Sequence, residues 1–426
     1  MSFSHRCRAL VLGDLPVWTC NRDEIVLRML MGLSAVSPAL FAFIEMSPTV
    51  LAIVAALLST LSLLAKRARF ASVTIRFAVI LALLSGLVLS SVLWSVDSSR
   101  SLAAGTGVLF YSIAAVLLVQ GMLALTRAQC DRLARVSLIG LTIGLLSVIG
   151  RELYFAFLTD DPRFVENVFT LHKITVYGAF FAVVLLAQPA PIWKGLAVLF
   201  AVLTLAYGQS TGVNLAIVVV AIIFVVPASR RQHALVGFFA IYLSLALIAP
   251  FIAEPVFDLL KTTGWLAFYP GTFAARLDLW QMIAPHIVDK PFLGHGANTI
   301  RNAADVVVNP TYYTLVDLPS AHNIVFDLWY ELGALGMIVY AVLLGAILRT
   351  IHILDDRSHF IAGSFLIVAV VELSVDHRIW LSWVLGTLVF VAGVCILHCR
   401  AVTVSGTGSR TAISAVHLNT NAPTHR

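Results

Sequence analysis

The residues best suited to chemistry lie in one string, SAHNIVFDLWYELGALG, at positions 320–336. An imidazole can accept a hydroxyl proton near neutral pH, so His322 is a candidate general base. Asp327 and Glu331 follow one helical turn apart on one face, and carboxylates in an apolar span are costly unless they face a cavity or a partner. We take these two acids and Asn323 as supporting residues. A second interpretation stays open, in which the string is a helix N-cap followed by acids paired to neighbouring helices.

Four cations are candidates for binding a phosphorylated substrate, and the first of them is Arg276. A guanidinium can grip phosphate oxygens with two hydrogen bonds. The alternative for this residue is a salt bridge with Asp278 or another acid of the same loop. The other three candidates, each of which can also be a solvated surface charge, are Arg163, Lys173 and Arg301. Arg151 and Glu152 are adjacent within one apolar run and can neutralise each other.

Two further sequence patterns do not predict a functional site. Gly294 and Gly296 flank His295, but no strand–helix unit surrounds them, so they do not predict a nucleotide loop. The cluster of Cys395, His398 and Cys399 spans one helix turn, which cannot supply a full set of metal ligands. We therefore expect no cofactor and no metal, and we expect none of the five cysteines to form a structural disulfide.

The elements that must position these residues are transmembrane helices. Hydrophobic residues make up 60% of the 426, charged residues only 12%, and the mean hydropathy is +0.94, which excludes a soluble domain with a charged surface. Apolar runs long enough to span a bilayer predict an all-α polytopic protein of about twelve helices. The runs are 26–45, 48–65, 77–94, 102–124, 136–157, 174–188, 195–209, 213–228, 234–253, 323–348, 360–375 and 379–398.

The distribution of Lys and Arg predicts the orientation. The basic clusters between spans two and three, four and five, eight and nine, and after span ten all fall on one side of the membrane, which the positive-inside rule makes cytoplasmic. Basic residues in short loops between apolar runs are typical of an anionic leaflet as partner, not of nucleic acid. The predicted regions are 1–253 with about nine helices, a long periplasmic loop at 254–322, about three helices at 323–398, and a disordered cytoplasmic tail at 399–426. Within the loop, Leu277, Trp280 and Ile283 have helical spacing.

The order of these motifs resembles the O-antigen ligase family, which also includes O-antigen and exopolysaccharide polymerases. In that family an Arg and a Trp open a large periplasmic loop, a Pro-x-x-Gly-x-Gly follows, and a His-Asn closes the loop. The matching strings here are RLDLW and KPFLGHGAN within 276–298, then His322-Asn323. Glu331, Gly333 and Gly336 match the acid and two glycines of the next helix, and the WSVD string at 94–97 also fits.

The resemblance implies a GT-C-type glycosyltransferase of the bacterial inner membrane. Such enzymes pass a glycan from undecaprenyl diphosphate to a hydroxyl on lipid A–core (ligases) or on another lipid-linked glycan (polymerases). Periplasmic arginines hold the diphosphate and the loop histidine activates the acceptor, without a metal. One departure is the string Gln209-Ser210-Thr211-Gly212, where many members carry an Arg after the Ser. Lys173 or Arg378 would then have to replace that Arg.

Three functional classes remain open at this point. The leading one is an O-antigen ligase-like transferase, with an O-antigen or exopolysaccharide polymerase of the same donor chemistry as the alternative. A transporter or flippase of lipid-linked glycan would also use intramembrane charges, but transporters usually show internal repeats and broken helices. A purely structural scaffold leaves the buried acids and the ordered loop motifs unexplained.

Overall fold

The computed structural model describes residues 22–41, 43–44, 47–66, 70–157, 164–207, 210–268, 272–300, 311–312, 320–375, 377 and 379–401. Over these residues the regular elements are helices. They are α1 (Arg22–Phe41), α2 (Ser47–Lys66), α3 (Ser72–Ser90), α4 (Ser98–Ala124), α5 (Arg127–Phe157), α6 (Phe164–Leu186), α7 (Pro191–Tyr207), α8 (Thr211–Val225), α9 (Ala228–Thr262), α10 (Trp265–Phe268), α11 (Thr272–Asp289), α12 (Ile324–His352), α13 (Asp356–Val375) and α14 (Ser382–Ala401).

The multi-pass membrane architecture is confirmed. In the described part of the chain, nine helices are long and apolar enough to cross a bilayer, and three shorter apolar segments lie at His172–Leu186, Pro191–Tyr207 and Thr211–Val225. Each predicted span overlaps one of these twelve, although a count of twelve crossings and the GT-C architecture stay predictions. Large aliphatic side chains such as Leu57, Leu61 and Leu64 are exposed along α2, as lipid contact requires.

Two ends of the helix bundle differ in charge. We call the end that carries α11 and His322 the loop end; the connections at 94–97 and 377–381 also lie there, because they contact α12 and the segment after α11. The opposite end, here the basic end, carries the described residues of the predicted Lys and Arg clusters, among them Arg76, Arg127 and Arg231. There Arg357 donates to Gln188 and Arg400 donates to the Met122 carbonyl.

The helix α9 runs further than its hydropathy predicts. The apolar run ends near 253, and Pro250 and Pro255 predict a break, yet the helix continues to Thr262. Because Pro250 has no N–H, it cannot donate the usual helical hydrogen bond to the carbonyl of Ala246. The indole of Trp329 on α12 donates to that carbonyl at 2.9 Å, so the buried acceptor keeps a partner and the helix can continue.

Aromatic rings fill the centre of the bundle. Phe41 of α1 contacts Tyr177 of α6 at a centroid distance of 5.0 Å and Phe390 of α14 at 4.9 Å. Phe180 of α6 meets Phe365 of α13 edge-on at 5.3 Å. Buried ring contacts therefore join α6 to α1 on one side and to α13 on another, and the second contact fixes α6 beside α13 where the site below depends on them.

Small residues on α5 let it pack closely against α1. Gly140 and Gly144 are four residues apart, as in the small-xxx-small motifs that pack membrane helices. A Cβ at Gly140 would lie 2.3 Å from the Ser34 carbonyl oxygen, and one at Gly144 would lie 2.6 Å from the Cβ of Pro38. Since Pro38 cannot donate to Ser34, α1 presents an unclosed turn to the glycine face of α5.

We expect Gly140→Ala to destabilise the protein by about 1–3 kcal/mol, because the new methyl group meets helix backbone that cannot move aside. Gly150→Ala on the same helix is the matched control: its Cβ meets nothing within 4 Å, and alanine favours the helix. Thermal unfolding of both variants in detergent checks the prediction. Equal melting temperatures for the two variants would contradict the close α1–α5 contact.

Candidate functional site

A short turn before α12 holds His322 in an uncommon backbone conformation. His322 has φ +51°, in the left-handed region that non-glycine residues rarely adopt. Its N–H donates to the Ser320 hydroxyl at 3.1 Å, and the preceding N–H of Ala321 donates to Asp327 at 2.9 Å. Asn323 accepts from the Val325 N–H at 2.8 Å and so caps α12.

This geometry separates the roles that the sequence left open. Asn323 is the N-cap and Asp327 binds backbone within the turn, as the capping interpretation expects. His322 is not the cap, and the residue is half-buried. A left-handed conformation costs a non-glycine residue about 1–2 kcal/mol, so it persists only where the surrounding contacts impose it.

Trp280 of α11 ties this turn to the loop helix. Its indole N–H donates to the Ala321 carbonyl at 2.8 Å, and its ring stacks on Phe326 with centroids 5.4 Å apart and planes 12° apart. The helical spacing predicted for this segment is confirmed by α11, in which Leu277 and Ile283 are buried. One face of α11 therefore holds the turn that presents His322.

Arg276 lies one helical turn before Trp280 on the same face of α11. Its side chain is half-buried, and the neighbouring Asp278 is fully buried. The two carboxylate oxygens of Asp278 accept hydrogen bonds from the Tyr312 N–H at 2.6 Å and the Gln281 amide at 3.2 Å. Asp278 thus anchors the loop, while Arg276 shares the face that contacts the His322 turn.

The helix α12 is broken at Gly333, which has φ +61° and ψ −156°. The segment after α11 fills the break. The N–H groups of 295 and 296 donate to the carbonyls of 330 and 331 at 2.9 Å, and the N–H groups of 334 and 335 donate to the carbonyls of 291 and 292 at 2.8 and 3.3 Å. The backbone groups that the break would leave unpaired are therefore paired with this segment.

Only glycine fits where the two segments touch. A Cβ at Gly333 would lie 2.5 Å from the Phe292 carbonyl carbon, and a Cβ at Gly294 would lie 2.4 Å from the Glu331 carbonyl carbon. Both glycines also have positive φ. Gly294 and Gly333, two of the glycines that carried the resemblance, are thus required by backbone geometry.

Glu331 joins three parts of the loop end. Its carboxylate is fully buried, accepts from the Ile300 N–H at 3.4 Å and accepts a short hydrogen bond from the indole of Trp380. The buried Glu331 carboxylate is therefore paired, and its partners are N–H groups. Glu331 connects α12, the segment after α11 and the connection between α13 and α14.

The WSVD string docks on the same segment. The Trp94 indole donates to the Leu293 carbonyl at 2.9 Å, and the Val96 N–H donates to the His295 carbonyl at 3.0 Å. Ser101, at the start of α4, donates to the Ala297 carbonyl at 2.8 Å. These bonds fix the segment to α4 and explain why a short polar string separates α3 from α4.

The contacts of His295 explain why a histidine lies between the two loop glycines. Its ring stacks on Tyr330 with centroids 4.4 Å apart, and its Nε2 donates to the His286 carbonyl at 2.9 Å. Burial lowers the pKa of His295, so the ring is neutral at pH 7. Both of these ring contacts support packing of the loop.

A second group of polar residues lies at the loop end between α6, α13 and α14. One ligand atom from each of His172, Glu372 and His377 lies within 4.8 Å of the other two. The His377 Nε2 is 3.6 Å from a Glu372 oxygen, and the Ser210 hydroxyl donates to the other oxygen at 3.3 Å. The predicted phosphate ligand Lys173 lies beside this group, with its ammonium 5.5 Å from the Trp383 ring centroid.

Neither histidine of this group stands out in the sequence. His172 was readable as a polar residue beside Lys173 at the start of a short span, and His377 follows the apolar run of α13. Nothing in their spacing shows that they meet. The remaining predicted cations Arg163, Arg301 and Arg378 lie outside the described residues, and their roles stay predictions.

Glu152 is hydrogen-bonded to two neighbouring helices. Its carboxylate accepts hydrogen bonds from Thr175 of α6 at 2.9 Å and from Thr204 of α7 at 3.2 Å. Neutralisation by the adjacent Arg151 stays an open interpretation. These hydrogen bonds make Glu152 a tie among α5, α6 and α7.

An apolar cavity opens beside the His322 turn. Its volume is about 240 Å³, and it runs between α9, α11 and α12. Trp280, Asn323 and Phe326 line the end nearest the turn. Tyr242 and Ser374, hydrogen-bonded to each other at 2.9 Å, line it on the side of α13. The cavity can take an apolar chain whose polar end reaches the turn.

Comparison with known proteins agrees with the resemblance. Residues 196–341 match the family model described as O-Antigen ligase. A Rickettsia conorii protein named "Putative polysaccharide ligase" is 25% identical over 151 residues, which are 34% of this chain and 36% of that relative. The match thus spans about a third of the relative's length. Residues 196–341 of this multi-pass membrane protein are thus similar to the O-antigen ligase family, and the matched region includes Arg276, His322 and Glu331.

We expect Gly333→Ala to destabilise the site, because its Cβ collides with the Phe292 carbonyl and alanine is strained at φ +61°. The loss should reach about 2–3 kcal/mol. Gly345→Ala on the same helix is the control, since its Cβ meets nothing within 4 Å. Thermal unfolding in detergent measures both. If Gly333→Ala is as stable as Gly345→Ala, the break in α12 is not as described.

Proposed function

We propose that this protein is an O-antigen ligase-like membrane glycosyltransferase. It transfers a glycan from undecaprenyl diphosphate to an acceptor hydroxyl at the periplasmic face of the bacterial inner membrane. The acceptor is lipid A–core, and both termini are cytoplasmic, so that the loop end is periplasmic. The proposal rests on the O-antigen ligase domain and on the His322 turn, where a half-buried imidazole is held at the bundle end beside an apolar cavity.

The orientation is supported by the division of charge between the two ends. The predicted Lys and Arg clusters lie at the basic end, which the positive-inside rule makes cytoplasmic. The other end carries α11, the loop segments and His322. A lipid-linked glycan in the outer leaflet would therefore meet the His322 turn.

The chemistry needs one base and a set of cations. The acceptor hydroxyl gives its proton to neutral His322 as its oxygen attacks the anomeric carbon. The bond from that carbon to the diphosphate oxygen breaks, and the diphosphate leaves with the electron pair. Because diphosphate is already a good leaving group, no carboxylic acid need protonate it, unlike in a glycosidase. Arg276 and Lys173, with Arg163 and Arg301 as further candidates, stabilise the charge on the leaving group.

This scheme requires neither a cofactor nor a catalytic metal, because side-chain cations take the place of a metal at the diphosphate. Asn323, Asp327 and Glu331 act as supporting residues that hold the base. The hydrogen bonds of the turn and of Glu331 favour that assignment. The apolar cavity beside Asn323 supports a lipid substrate, since a prenyl or acyl chain can lie there while its head reaches His322.

A ligase is favoured over a polymerase because the matching family model and the relative both carry ligase descriptions. A polymerase would use the same donor chemistry with a second lipid-linked glycan as acceptor. A flippase would move the lipid-linked glycan without forming a bond. Supplying purified protein with labelled donor and either lipid A–core or unlabelled lipid-linked glycan separates the three.

Arg276→Ala should raise the KM for the donor by about 10–100-fold, because a hydrogen bond to a charged group contributes roughly 1.5–3 kcal/mol. Arg276→Lys should recover only part of the loss, since a point charge cannot replace a planar fork. The control is Arg100→Ala at the same bundle end, where Arg100 pairs with Asp97 at 3.2 Å. Full activity of Arg276→Lys would contradict two-point phosphate binding.

His322→Asn is the sharpest test of the general base. Asparagine tolerates positive φ, so the turn should keep its shape while the base is lost. Transfer per folded molecule should fall by about 10²–10⁴-fold, with donor binding retained. The control is His233→Ala, an exposed histidine at the basic end. If His322→Asn transfers glycan at the normal rate, the general-base proposal is wrong.

A further inference from the structure

The group of His172, Glu372 and His377 has the composition of a transition-metal site. Two imidazoles and one carboxylate form a ligand set that Zn²⁺ commonly takes, with a further position left for water or another oxygen ligand. The residues come from α6, from the last turn of α13 and from the connection that follows it. Their spacing in the chain gives no sign of a metal motif, so the site exists only in the folded protein.

The distances are close to those of a coordinated metal. Zn²⁺ binds nitrogen and oxygen at about 2.0–2.2 Å, so ligand atoms around a tetrahedral ion lie about 3.3–3.6 Å apart. The His377 Nε2 and the Glu372 Oε2 are 3.6 Å apart. All three ligand atoms lie within 4.8 Å of one another, so a small shift of His172 closes the set.

The surrounding contacts orient the ligands as outer contacts do in metal sites. The Ser210 hydroxyl donates to the Glu372 Oε1, which leaves the Oε2 directed at His377. Ser210 is itself buried and caps α8 through the Val213 N–H. The His377 ring packs edge-on against Trp383 at 4.7 Å, which fixes the plane of the imidazole.

The burial of Glu372 favours a bound cation beside its carboxylate. Glu372 is only 3% exposed and lies in an apolar helix, where an ionised carboxylate is costly without a positive partner. Two imidazoles and a carboxylate that converge on one point match the ligand preference of a divalent transition metal, which both imidazoles can bind.

We propose that His172, Glu372 and His377 bind one Zn²⁺ ion, or a similar divalent transition metal, in a structural site. The ion would tie α6 to α13 and fix the connection that carries Trp380, whose indole holds Glu331. The three ligands do not include His322, and binding of the ion can be measured without glycan transfer. Its test is therefore made without substrate.

The experiment uses the full-length protein, purified in detergent, stripped with a chelator and dialysed. ZnCl₂ is added, excess metal is removed, and bound zinc is measured by mass spectrometry beside the melting temperature. We expect one zinc per chain and a higher melting temperature with zinc, since a ligand that binds only the folded state stabilises it. MgCl₂ should give neither effect, because imidazoles bind Mg²⁺ poorly.

Matched variants separate a metal site from an ion pair. His172→Ala and Glu372→Gln should abolish stoichiometric zinc, and Ser210→Ala should weaken zinc binding about 10–100-fold through loss of the outer contact. His377→Lys keeps a cation opposite Glu372 but removes a ligand, so it should also lose zinc. His233→Ala at the basic end should bind zinc as the wild type does.

Two results would overturn the proposal. One is a wild-type protein that binds less than stoichiometric zinc and melts at the same temperature with and without it. The other is stoichiometric zinc retained by His172→Ala and Glu372→Gln, which would place the ion elsewhere. The wild-type titration decides the question even if a variant fails to fold.

Discussion

The exchange of backbone hydrogen bonds between the broken helix α12 and the segment after α11 is the interaction on which the loop end depends. A helix interrupted in an apolar environment leaves carbonyl and N–H groups that need partners. The segment at 291–296 supplies four of them, and the glycines at 294 and 333 allow the two backbones to touch. This contact holds α11 against α12, so Trp280 reaches the turn before α12.

Buried carboxylates form further hydrogen bonds between chain segments around the break in α12. Asp327 binds the backbone of the His322 turn, and Asp278 binds the backbone of Tyr312. Glu331 binds both the segment after α11 and Trp380. Each acid therefore joins chain segments that the helices alone would not bring together. Because an unpaired carboxylate in this environment is costly, each pairing also restricts where the partner segment can lie.

Much of the helical framework could be predicted from the sequence because hydropathy and spacing are local signals. The apolar runs predicted the membrane helices, and Leu277, Trp280 and Ile283 predicted α11. The end of α9 was not predictable in this way. Its prolines indicate a stop, and the donor that compensates for Pro250 is Trp329, which is 83 residues away from the carbonyl that it binds.

The site was predictable only in part for the same reason. His322, Asn323, Asp327 and Glu331 share one string and one helix, so their proximity follows from local geometry. The break at Gly333 did not follow, because an isolated glycine in a helical pattern usually keeps the helix. The meeting of His172 with Glu372 and His377 depends on how α6 packs on α13. No periodicity within either helix encodes that contact.

The placement of cations at the loop end favours a function that involves anions. The positive-inside bias accounts for basic residues at the opposite end and gives no reason for cations here. Among these cations, Arg100 pairs with Asp97, and Lys261 lies 5.7 Å from the Phe257 ring centroid. Arg276 lies on the same face of α11 as Trp280, which donates to the His322 turn. The proposed reaction needs a cation at this end of the bundle, because negative charge develops on the diphosphate as its bond to the anomeric carbon breaks.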